Sequence, residues 1–295
     1  MACKLSLIIP AKDKEDPKLK RLLGSIEHQD FPKDEVEVLV ITEGTSESAK
    51  AIGIRRAKGD VIGILASDNE FVRESHLMKL YEYARDYGAS CPQFYFRKHS
   101  DNLLNRYFAL IGGNDPLSYY MRKNDRASHA NEQRGKNIGD MTLGDNGFFI
   151  KKDLILKTDL DNYYHVDNAH EAINEILFAQ FGIYHNTGGS LIDFFKKRYR
   201  YGLQHAFNKN RRWHLVDFRR PVDIRRFTWF ILASLLIIPP TFLSLRGWKK
   251  IRDVAWFLHP VVCLGTVLTY GLLTLHLGLR EMSRLLSARS EGLTA

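Results

Sequence analysis

The chain has 295 residues, of which 44% are hydrophobic and 26% charged, so its composition is that of a globular protein and excludes an intrinsically disordered one. Its net charge of +9 is uneven, because the part from Ser190 onward has 18 basic and 6 acidic residues, a net +12, and the first 189 residues carry −3. Cys3, Cys91 and Cys263 lack the spacing of a metal site or a disulfide framework and fit a reducing compartment. The apolar stretch Leu5–Ile9 is too short for a secretory signal.

The first 86 residues alternate short apolar runs with amphipathic segments. The predicted strands are Leu5–Pro10, Val36–Ile41 and Val61–Ala66, and the predicted helices are Lys18–Gln29, Ser46–Ala57 and Glu74–Asp86. Strand–helix units at this spacing predict an α/β protein with a doubly wound, mostly parallel sheet. The apolar runs do not alternate with polar residues, which indicates strands buried on both faces.

The middle of the chain is less regular. Gly112–Asn146 is polar and rich in glycine and asparagine, and predicts a loop-rich lid or acceptor-facing segment. After it, His170–Phe181 is predicted to form an amphipathic helix that ends before Gly182.

Two long apolar segments near the C-terminus contain no charged residue: Phe227–Leu245, with 19 residues, and Val254–Leu279, with 26. A helix of roughly 20 residues crosses a hydrocarbon core of about 30 Å. Pro239 and Pro240 interrupt the first segment, which either kinks or re-enters, and basic residues precede both segments, so the topology stays open. A buried hairpin of a soluble protein is the alternative.

These patterns divide the chain into three parts. The basic residues flank uncharged spans and form no soluble basic face, which argues against nucleic-acid binding. The predicted parts are a catalytic α/β domain (1–205), a basic interfacial linker (206–226) and a membrane region with two apolar helices (227–295).

Small and acidic residues follow each of the first three predicted strands, in the turns Pro10–Asp13, Thr42–Thr45 and Ala66–Asn69. Parallel strands share one carboxyl end, so the three turns are expected to meet at one edge of the sheet. A carboxylate in the second turn can accept a hydrogen bond from a base or a ribose, and one in the third can bind a divalent cation. Each turn alone is more typical of a helix N-cap or a solvated loop, but together they predict a binding site.

The order of these segments resembles the family 2 glycosyltransferases of the GT-A fold. The stretches that carry the resemblance, between about Leu5 and Gly202, are LSLIIPAKD, VEVLVITEGTSES, AKGDVIGILASDNE, TLGDNGFFIKK, NYYHVDNAHEAINEILFAQFG and KKRYRYG. The resemblance implies an inverting hexosyltransferase that uses a nucleotide-sugar donor. The apolar segments favour a lipid-linked saccharide acceptor and a location at the cell membrane, with the catalytic domain on the cytoplasmic side.

The resemblance assigns the donor-side residues. The substrate-binding positions after the first three strands are Pro10, Ala11, Asp13, Glu43 and Asp68. Of these, Glu43 takes the acidic position that contacts the nucleotide, and Asp68 is the second Asp of an Asp-x-Asp metal motif. Mg²⁺ or Mn²⁺ suits such oxygen ligands and would act as a Lewis acid at the leaving diphosphate.

The sequence departs from the family pattern at two places. The first Asp of the metal motif is Ala66 in this chain, and Thr42 replaces an Asp of the second turn. The ribose or metal contact missing at Ala66 is either lost or supplied by Asn69, Glu70 or water. A catalytically degenerate membrane protein of the same fold, with a binding or assembly role, is therefore the alternative function.

Transfer to an acceptor hydroxyl needs a general base. The resemblance places Asp167 in that role, although Val166 stands where the family has a neighbouring Glu. Glu171 is the rival, because its distance from Gly182 fits better, and either carboxylate can instead cap a following helix. His185 resembles a histidine common in this region, but a lone histidine is more often structural.

The remaining site residues are predicted by resemblance to the acceptor side and to a closing basic-aromatic motif. Asp145 and Asn146 would face the acceptor, although Gly144–Gly147 is also typical of a turn. Arg198, Arg200 and Tyr201 would bring cations to the diphosphate and a ring to a sugar. The same stretch is equally typical of a cationic helix on a membrane surface.

Overall fold

The computed structural model describes residues 3–124, 126–127, 142–160, 164–173, 175–207 and 216–292. The strands are β1 (Leu5–Pro10), β2 (Val36–Ile41), β3 (Val61–Leu65), β4 (Asn69–Glu70), β5 (Ala89–Phe96), β6 (Asn146–Lys151) and β7 (Leu177–His185). The α-helices are α1 (Pro17–Glu27), α2 (Ser46–Arg56), α3 (His76–Tyr87), α4 (Leu103–Ile111), α5 (Pro116–Met121), α6 (Lys152–Ile155), α7 (Leu191–Phe207), α8 (Pro221–Leu236), α9 (Ile238–Lys250) and α10 (His259–Gly292). Two 3₁₀ helices cover Val166–Glu171 and Val254–Leu258.

The strands form one seven-stranded sheet in the order β2-β1-β3-β6-β5-β7-β4. β1 runs parallel to both β2 and β3, as the strand–helix alternation predicts. The second half of the sheet is mixed: β6 is antiparallel to β3 and β5, β7 is parallel to β5, and β4 is antiparallel to β7. The prediction of a mostly parallel sheet is therefore wrong for this half, because a continuous apolar strand such as β6 shows burial but not direction.

The central strands are buried on both faces, as their unbroken apolar runs predict. Successive side chains of a strand point to opposite faces. Leu7 of β1 belongs to an apolar cluster with Leu22 of α1, whereas its neighbour Ile8 belongs to a second cluster with Ile54 of α2. The sheet thus carries helices on both faces, and its strand ends are left free to form a site.

The first three helices lie where the sequence predicts them, within a few residues at each end. Asp16 begins α1, its side chain accepting a hydrogen bond from the backbone N–H of Lys18. Thr45 and Ser48 form a reciprocal capping box at the start of α2. These caps satisfy N–H groups that a first helical turn leaves without partners.

The segment His170–Phe181 is not a helix, so that prediction is wrong. Its first two residues end a 3₁₀ turn, and from Leu177 the chain forms β7, parallel to β5. Gly182 lies inside this strand, where a Cβ would stand 2.6 Å from the ring of Phe94. Glycine here allows close packing between strands and is not a helix stop.

Only part of the predicted loop Gly112–Asn146 can be compared with the structure. It contains the short helix α5, and residues 125 and 128–141 lie outside the described residues. Residues 208–215 of the predicted linker also lie outside them.

The first apolar segment is bent near its proline pair, as the sequence predicts, and it forms two helices where one apolar helix was expected over 227–245. α8 and α9 meet at an angle of 90° around Ile237, which has a φ of 63°. Pro239 and Pro240 occupy the first turn of α9, and proline inside a continuous helix would remove backbone hydrogen bonds and clash with the preceding turn. α8 also begins at Pro221, ahead of the predicted membrane boundary.

By length and composition, the segment Val254–Arg284 is long and apolar enough to cross a membrane, and the α8–α9 pair counts as a second such segment only if both helices form one span. Buried helices of soluble proteins pass the same test. The share of the apolar window that is buried is 28%, so most of it lies on the surface.

Two buried carboxylates fix this C-terminal region to the α/β domain. Asp253 precedes the last apolar segment and pairs with Arg97 and Arg106. Asp223 in the first turn of α8 pairs with Lys123 at 2.6 Å. Both carboxylates are fully buried, so the attachment depends on charge pairing as well as on apolar contact.

Candidate functional site

The turns after the first three strands meet at one edge of the sheet. Ala11 donates its backbone N–H to the carbonyl of Ile41 at 2.9 Å, which ties the end of β1 to the end of β2. Pro10 is buried at the end of β1. Asp13 is exposed, and its carboxylate accepts a hydrogen bond from the backbone N–H of Glu15.

The third turn places Asp68 against His185. The chain turns after β3 so that β4 pairs with the end of β7, with Asn69 opposite His185. The backbone N–H of Asn186 donates to the carbonyl of Asp68 at 2.8 Å, and His185 Nε2 lies 3.2 Å from Asp68 Oδ1. A carboxylate and an imidazole from distant parts of the sequence therefore meet at this edge.

Asp68 is ionised in spite of its burial. Burial raises the pKa of a carboxyl group, but the charges of His185, Lys197 and Lys18 outweigh it and hold the pKa of Asp68 below its ordinary value. Lys18 also donates through Nζ to the carbonyl of Asn186 at 2.9 Å. The carboxylate is thus surrounded by cations, an arrangement that favours further negative charge nearby.

Lys197 is a site residue that the sequence prediction missed. The pKa of its ammonium is lowered, mainly by burial, with Arg198 and Lys18 adding to the effect. The carboxylates of Asp68 and Asp145 oppose this lowering. Its Nζ lies 5.7 Å from the centre of the Tyr201 ring, one helical turn further along α7. The signal was available: residues four apart share a helix face, so Lys197 and Tyr201 had to point the same way.

The other two predicted cations of α7 point elsewhere. Arg198 donates to the carbonyl of Asn114 at 2.5 Å and lies 3.8 Å from Asp115. Arg200 is exposed and lines a groove between α7 and α10. The expectation that both arginines reach the diphosphate thus differs from what is found, because the helical period turns each onto a different face.

Tyr201 remains at the site edge. Its side chain is 40% exposed. Burial raises the pKa of the Tyr201 hydroxyl, and the carboxylate of Asp145 raises it further. A partly exposed ring above charged groups is available to a ligand.

Asp145 is held by a buried lysine. Lys50 Nζ of α2 lies 2.9 Å from Asp145 Oδ2, and the side chains of Lys50 and Asp145 are 2% and 35% exposed. Burial alone would raise the pKa of Asp145, but the ammonium of Lys50 keeps it well below its ordinary value. The carbonyl of Asp145 accepts from the backbone N–H of Ala66 at 2.9 Å, which places this carboxylate beside the altered metal motif.

Asn146 and Asn69 are structural. Asn146 is 3% exposed; its Nδ2 donates to the Tyr95 hydroxyl, and its Oδ1 accepts from Asn69 Nδ2. The prediction that Asn146 faces an acceptor is therefore corrected, because its amide is buried under the sheet edge. Glu70, the other candidate for the contact missing at Ala66, pairs with Lys98 at 2.8 Å.

The two candidate bases differ in burial. Asp167 accepts a hydrogen bond from the backbone N–H of Leu143 at 2.6 Å, and its Oδ2 lies 3.5 Å from His165 Nδ1. Its charge also reaches Lys50, raising the pKa of that ammonium together with Asp145 and against burial. Glu171 is exposed, one turn further along the 3₁₀ helix.

Glu43, in the second turn, is exposed and forms an ion pair with Arg56 at 3.2 Å. The pair belongs to α2 and the turn that precedes it, next to the end of β2. Exposed pairs of this kind contribute little to stability, so the carboxylate is accessible to a ligand at small cost.

The described residues contain no group of three or more histidine, cysteine, aspartate or glutamate side chains that could hold a metal ion. Asp68 supplies one carboxylate ligand at this edge, and His185, whose Nε2 lies 3.2 Å from Asp68 Oδ1, is its ion-pair partner and not a second ligand. Mg²⁺ and Mn²⁺ at phosphate-transfer sites commonly take one or two protein ligands and fill the remaining positions with phosphate oxygens and water. Asp68 therefore fits a cation that binds together with a diphosphate.

Neither a protein-family model nor a curated protein matches the sequence. Solved structures do match. The mannosyltransferase PcManGT from Pyrobaculum calidifontis, solved with GDP-Man and Mn²⁺, is 13% identical over 92% of this chain and 86% of its own, with a TM-score of 0.50. S. aureus TarS 1-349, solved with UDP, is 13% identical over 92% of this chain and 90% of its own, with a TM-score of 0.44. At this identity the first likeness concerns the fold, and the chain has a glycosyltransferase-like fold.

Proposed function

We propose that this chain is a glycosyltransferase that moves a sugar from a nucleotide-sugar donor to an acceptor hydroxyl, with inversion. The observation that carries the proposal is the ionised Asp68 against His185, with Lys18 and Lys197 around it, at the carboxyl end of β3. Ligands of open α/β sheets bind at such strand ends. The mannosyltransferase of similar fold was solved with a nucleotide sugar and Mn²⁺, which is the same donor chemistry.

The charges of the site suit a leaving diphosphate. Lys18 and Lys197 would attract the phosphate oxygens and neutralise negative charge that grows as the glycosidic bond breaks. Asp68 would hold Mg²⁺ or Mn²⁺, which when bound supplies a Lewis acid at the same oxygens, and His185 would keep the carboxylate of Asp68 in place. Tyr201 offers a ring beside Lys197 for a sugar face, and Glu43 offers an exposed carboxylate to the nucleotide.

Asp167 is our choice of general base. Leu143 lies two residues before Asp145, on the loop that leads into β6. Its backbone N–H donates a hydrogen bond to the Asp167 carboxylate and fixes that carboxylate beside the loop. A base must be held within hydrogen-bond reach of the hydroxyl that it deprotonates. Glu171 is the alternative base. Its side chain is exposed, so its carboxylate is held less firmly toward an acceptor hydroxyl.

The acceptor that we propose is lipid-linked, at the cytoplasmic face of the cell membrane. The groove between α7 and α10 has a volume of about 550 Å³, with Phe195 and Leu272 among its lining residues, and Lys196 and Arg200 lie at the same groove. An apolar groove with cations fits a lipid that carries phosphate. α7 presents Lys197 to the donor site on a neighbouring face, so one helix would contact both substrates.

Membrane attachment is the support for this acceptor and has its own test. Ile238 and Phe242 on α9 are 75% and 65% exposed, and the large apolar side chains on the surface of α8 and α10 extend this face. Ile238→Glu is expected to reduce co-flotation of the full chain with vesicles of phosphatidylglycerol and phosphatidylcholine. Tyr87→Glu changes an equally exposed side chain of α3 and is expected to leave flotation unchanged. Equal flotation of both variants would contradict the attachment.

The activity is tested by donor turnover. Purified full chain with Mn²⁺ and a panel of UDP- and GDP-sugars is expected to release nucleoside diphosphate in the presence of a membrane lipid extract. Asp68→Ala is expected to abolish release, Asp167→Asn to lower it at least a hundredfold, and Glu171→Gln to lower it less than tenfold, since general base catalysis contributes about 10²–10⁴-fold. Thermal protection by UDP or GDP without turnover of any donor would favour the degenerate binding protein instead.

A further inference from the structure

Asp145 lies beside Ala66, the position where the metal motif of this chain lacks its first carboxylate. β3 and β6 run antiparallel with Leu65 opposite Asn146, and one step further the N–H of Ala66 donates to the carbonyl of Asp145 at 2.9 Å. Residues opposite each other on antiparallel strands have Cβ atoms about 4.5–5.5 Å apart. Asp145 therefore brings its carboxylate to the same edge from the neighbouring strand.

Lys50 determines what this carboxylate can bind. Its buried ammonium contacts Asp145 Oδ2 at 2.9 Å, while the Asp145 side chain keeps 35% of its surface exposed. The pair is close to neutral, so Asp145 is a poor ligand for a divalent cation. Its remaining lone pairs still accept hydrogen bonds, and a carboxylate accepts them more strongly than a neutral group. Hydroxyl groups are the matching ligands.

Asp145 faces the donor site. Burial lowers the pKa of Lys197 and raises that of Tyr201, and the charge of Asp145 acts on both groups, which share the face of α7 that turns toward Asp68. Asp68 and Asp145 both oppose the lowering of the Lys197 pKa, so the two carboxylates flank the same ammonium. The other neighbours of Ala66 are engaged, because Asn69 is buried against Asn146 and its Oδ1 accepts the N–H of Ala66.

We propose that Asp145, positioned by Lys50, is a hydroxyl-binding subsite for the ribose of the donor nucleotide and replaces the carboxylate absent at Ala66. This inference rests on the proposed function, because it assumes that a nucleoside diphosphate binds beside Asp68. It assigns Asp145 to the donor, whereas the sequence resemblance placed it at the acceptor. Lys50 is a positioning residue that holds the carboxylate and touches no substrate.

The test compares ribonucleotides with deoxyribonucleotides. Dissociation constants of GDP, UDP and their 2′-deoxy forms are measured by titration calorimetry on the full chain with Mn²⁺. For the nucleotide that binds, the wild type is expected to prefer the ribose form at least tenfold, in line with a hydrogen bond to a charged group. Asp145→Asn is expected to reduce this preference to less than threefold. The double variant Ala66→Asp, Asp145→Asn is expected to restore it.

The preference ratio separates binding from general damage. Asp145→Asn leaves Lys50 buried without its carboxylate, so if this variant does not fold, Lys50→Met combined with Asp145→Asn takes its place. A ratio that stays at the wild-type value in whichever variant folds would overturn the subsite, as would a wild type that binds GDP or UDP without preference for ribose. Failure of the wild type to bind any of the four nucleotides would overturn the proposed function itself, which is a different result.

Discussion

The donor edge of the sheet and the C-terminal helical region are built by different means. At the donor edge, Asp68 closely follows the buried strand β3 and Glu43 closely follows the half-buried edge strand β2, so their positions depend on a few neighbouring residues. In the C-terminal region, α7 and α10 take their places through contacts between residues far apart in the sequence. Local patterns therefore describe the first region well, and long-range pairing determines the second.

The difference also concerns charge. At the donor edge, the carboxylates of Asp68 and Asp145 keep 14% and 35% of their side-chain surface exposed, although Lys50 beside Asp145 is buried. In the C-terminal region, Asp253 and Asp223 are fully buried and are already paired with basic residues of the α/β domain. The carboxylates proposed to bind a ligand are thus partly exposed, and the carboxylates that attach the C-terminal helices are buried.

The largest expected effect comes from removing a buried attachment charge. Asp253→Ala leaves Arg97 and Arg106 facing each other without their carboxylate, and it also removes the cap that accepts from the backbone N–H of Ala255. Breaking a buried pair costs about 3–5 kcal/mol. The free energy of unfolding of the full chain in detergent, measured by denaturant titration, is expected to fall by that amount.

Asp86→Ala is the matched control for Asp253→Ala. Asp86 pairs with Arg85 on the surface of the α/β domain, with both side chains about half exposed. Exposed pairs contribute about 0–1 kcal/mol, so this variant is expected to unfold almost like the wild type. If the two variants lose similar stability, burial of the attachment charges is not what distinguishes the two regions.

The next effect tests the packing of α10 on α7. A Cβ on Gly265 would lie 2.1 Å from the ring of Phe195, so Gly265→Ala must displace that ring, and overpacking costs about 1–3 kcal/mol. Gly271 on the same helix has no heavy atom of the described residues within 4 Å of such a Cβ, beyond its own helix and chain neighbours. Gly271→Ala is expected to raise stability by up to about 1 kcal/mol, because alanine is the better helix former.

Donor turnover gives the second measurement for this pair of variants. Phe195 lies on α7, two residues before Lys197, so its displacement is expected to lower turnover in Gly265→Ala and leave Gly271→Ala at the wild-type rate. A normal rate in Gly265→Ala, with the loss of stability observed, would show that α10 supports the fold without positioning the donor site.

The predictions from sequence succeed where the pattern is local. The strands β1, β2 and β3 and the helices between them follow from apolar runs and turns, and the adjacency of the strand ends follows from parallel pairing. Which residue occupies the place beside Ala66 could not be predicted, because Asp145 precedes β6 and Lys50 lies in α2, 95 residues apart. Only the sheet order brings them together.

The errors share a physical origin. The segment before Gly182 has apolar residues at spacings that suit a helix as well as a strand, and pairing with β5 decides for the strand. Arg200 was assigned to the site, and its spacing of three residues from Lys197 allows that position, but it is exposed at the groove between α7 and α10. In both cases tertiary contacts select among conformations or faces that the sequence allows equally.

The smallest expected effect near neutral pH lies within the α/β domain, where β7 meets α3. His76 begins α3 and stacks on Phe181 of β7 with ring centres 3.8 Å apart. Burial, with Arg73 and Lys79 nearby, lowers the pKa of His76 from 6.5 to about 4. Between these values the unfolded chain binds a proton that the folded chain does not, so the free energy of unfolding falls as the pH drops from 6.5 and levels off below 4.

Below pH 6.5 this effect grows by at most about 1.4 kcal/mol for each pH unit, so it is small near neutral pH. His76→Phe keeps an aromatic ring against Phe181 and removes the titrating group, so its stability is expected to lack this slope, whereas His99→Gln at an exposed position keeps it. Denaturant titrations at pH 4, 5, 6 and 7 measure the slopes. If His76→Phe loses stability between pH 7 and 4 as steeply as the wild type, His76 does not carry this pH dependence. Asp68 and Asp145 do not contribute in this range, because their pKa values are lowered from 3.8 and their favourable charge is lost only as the pH falls below that value. The slope between pH 7 and 4 thus reports on His76, and a further fall below pH 4 reports on the donor edge.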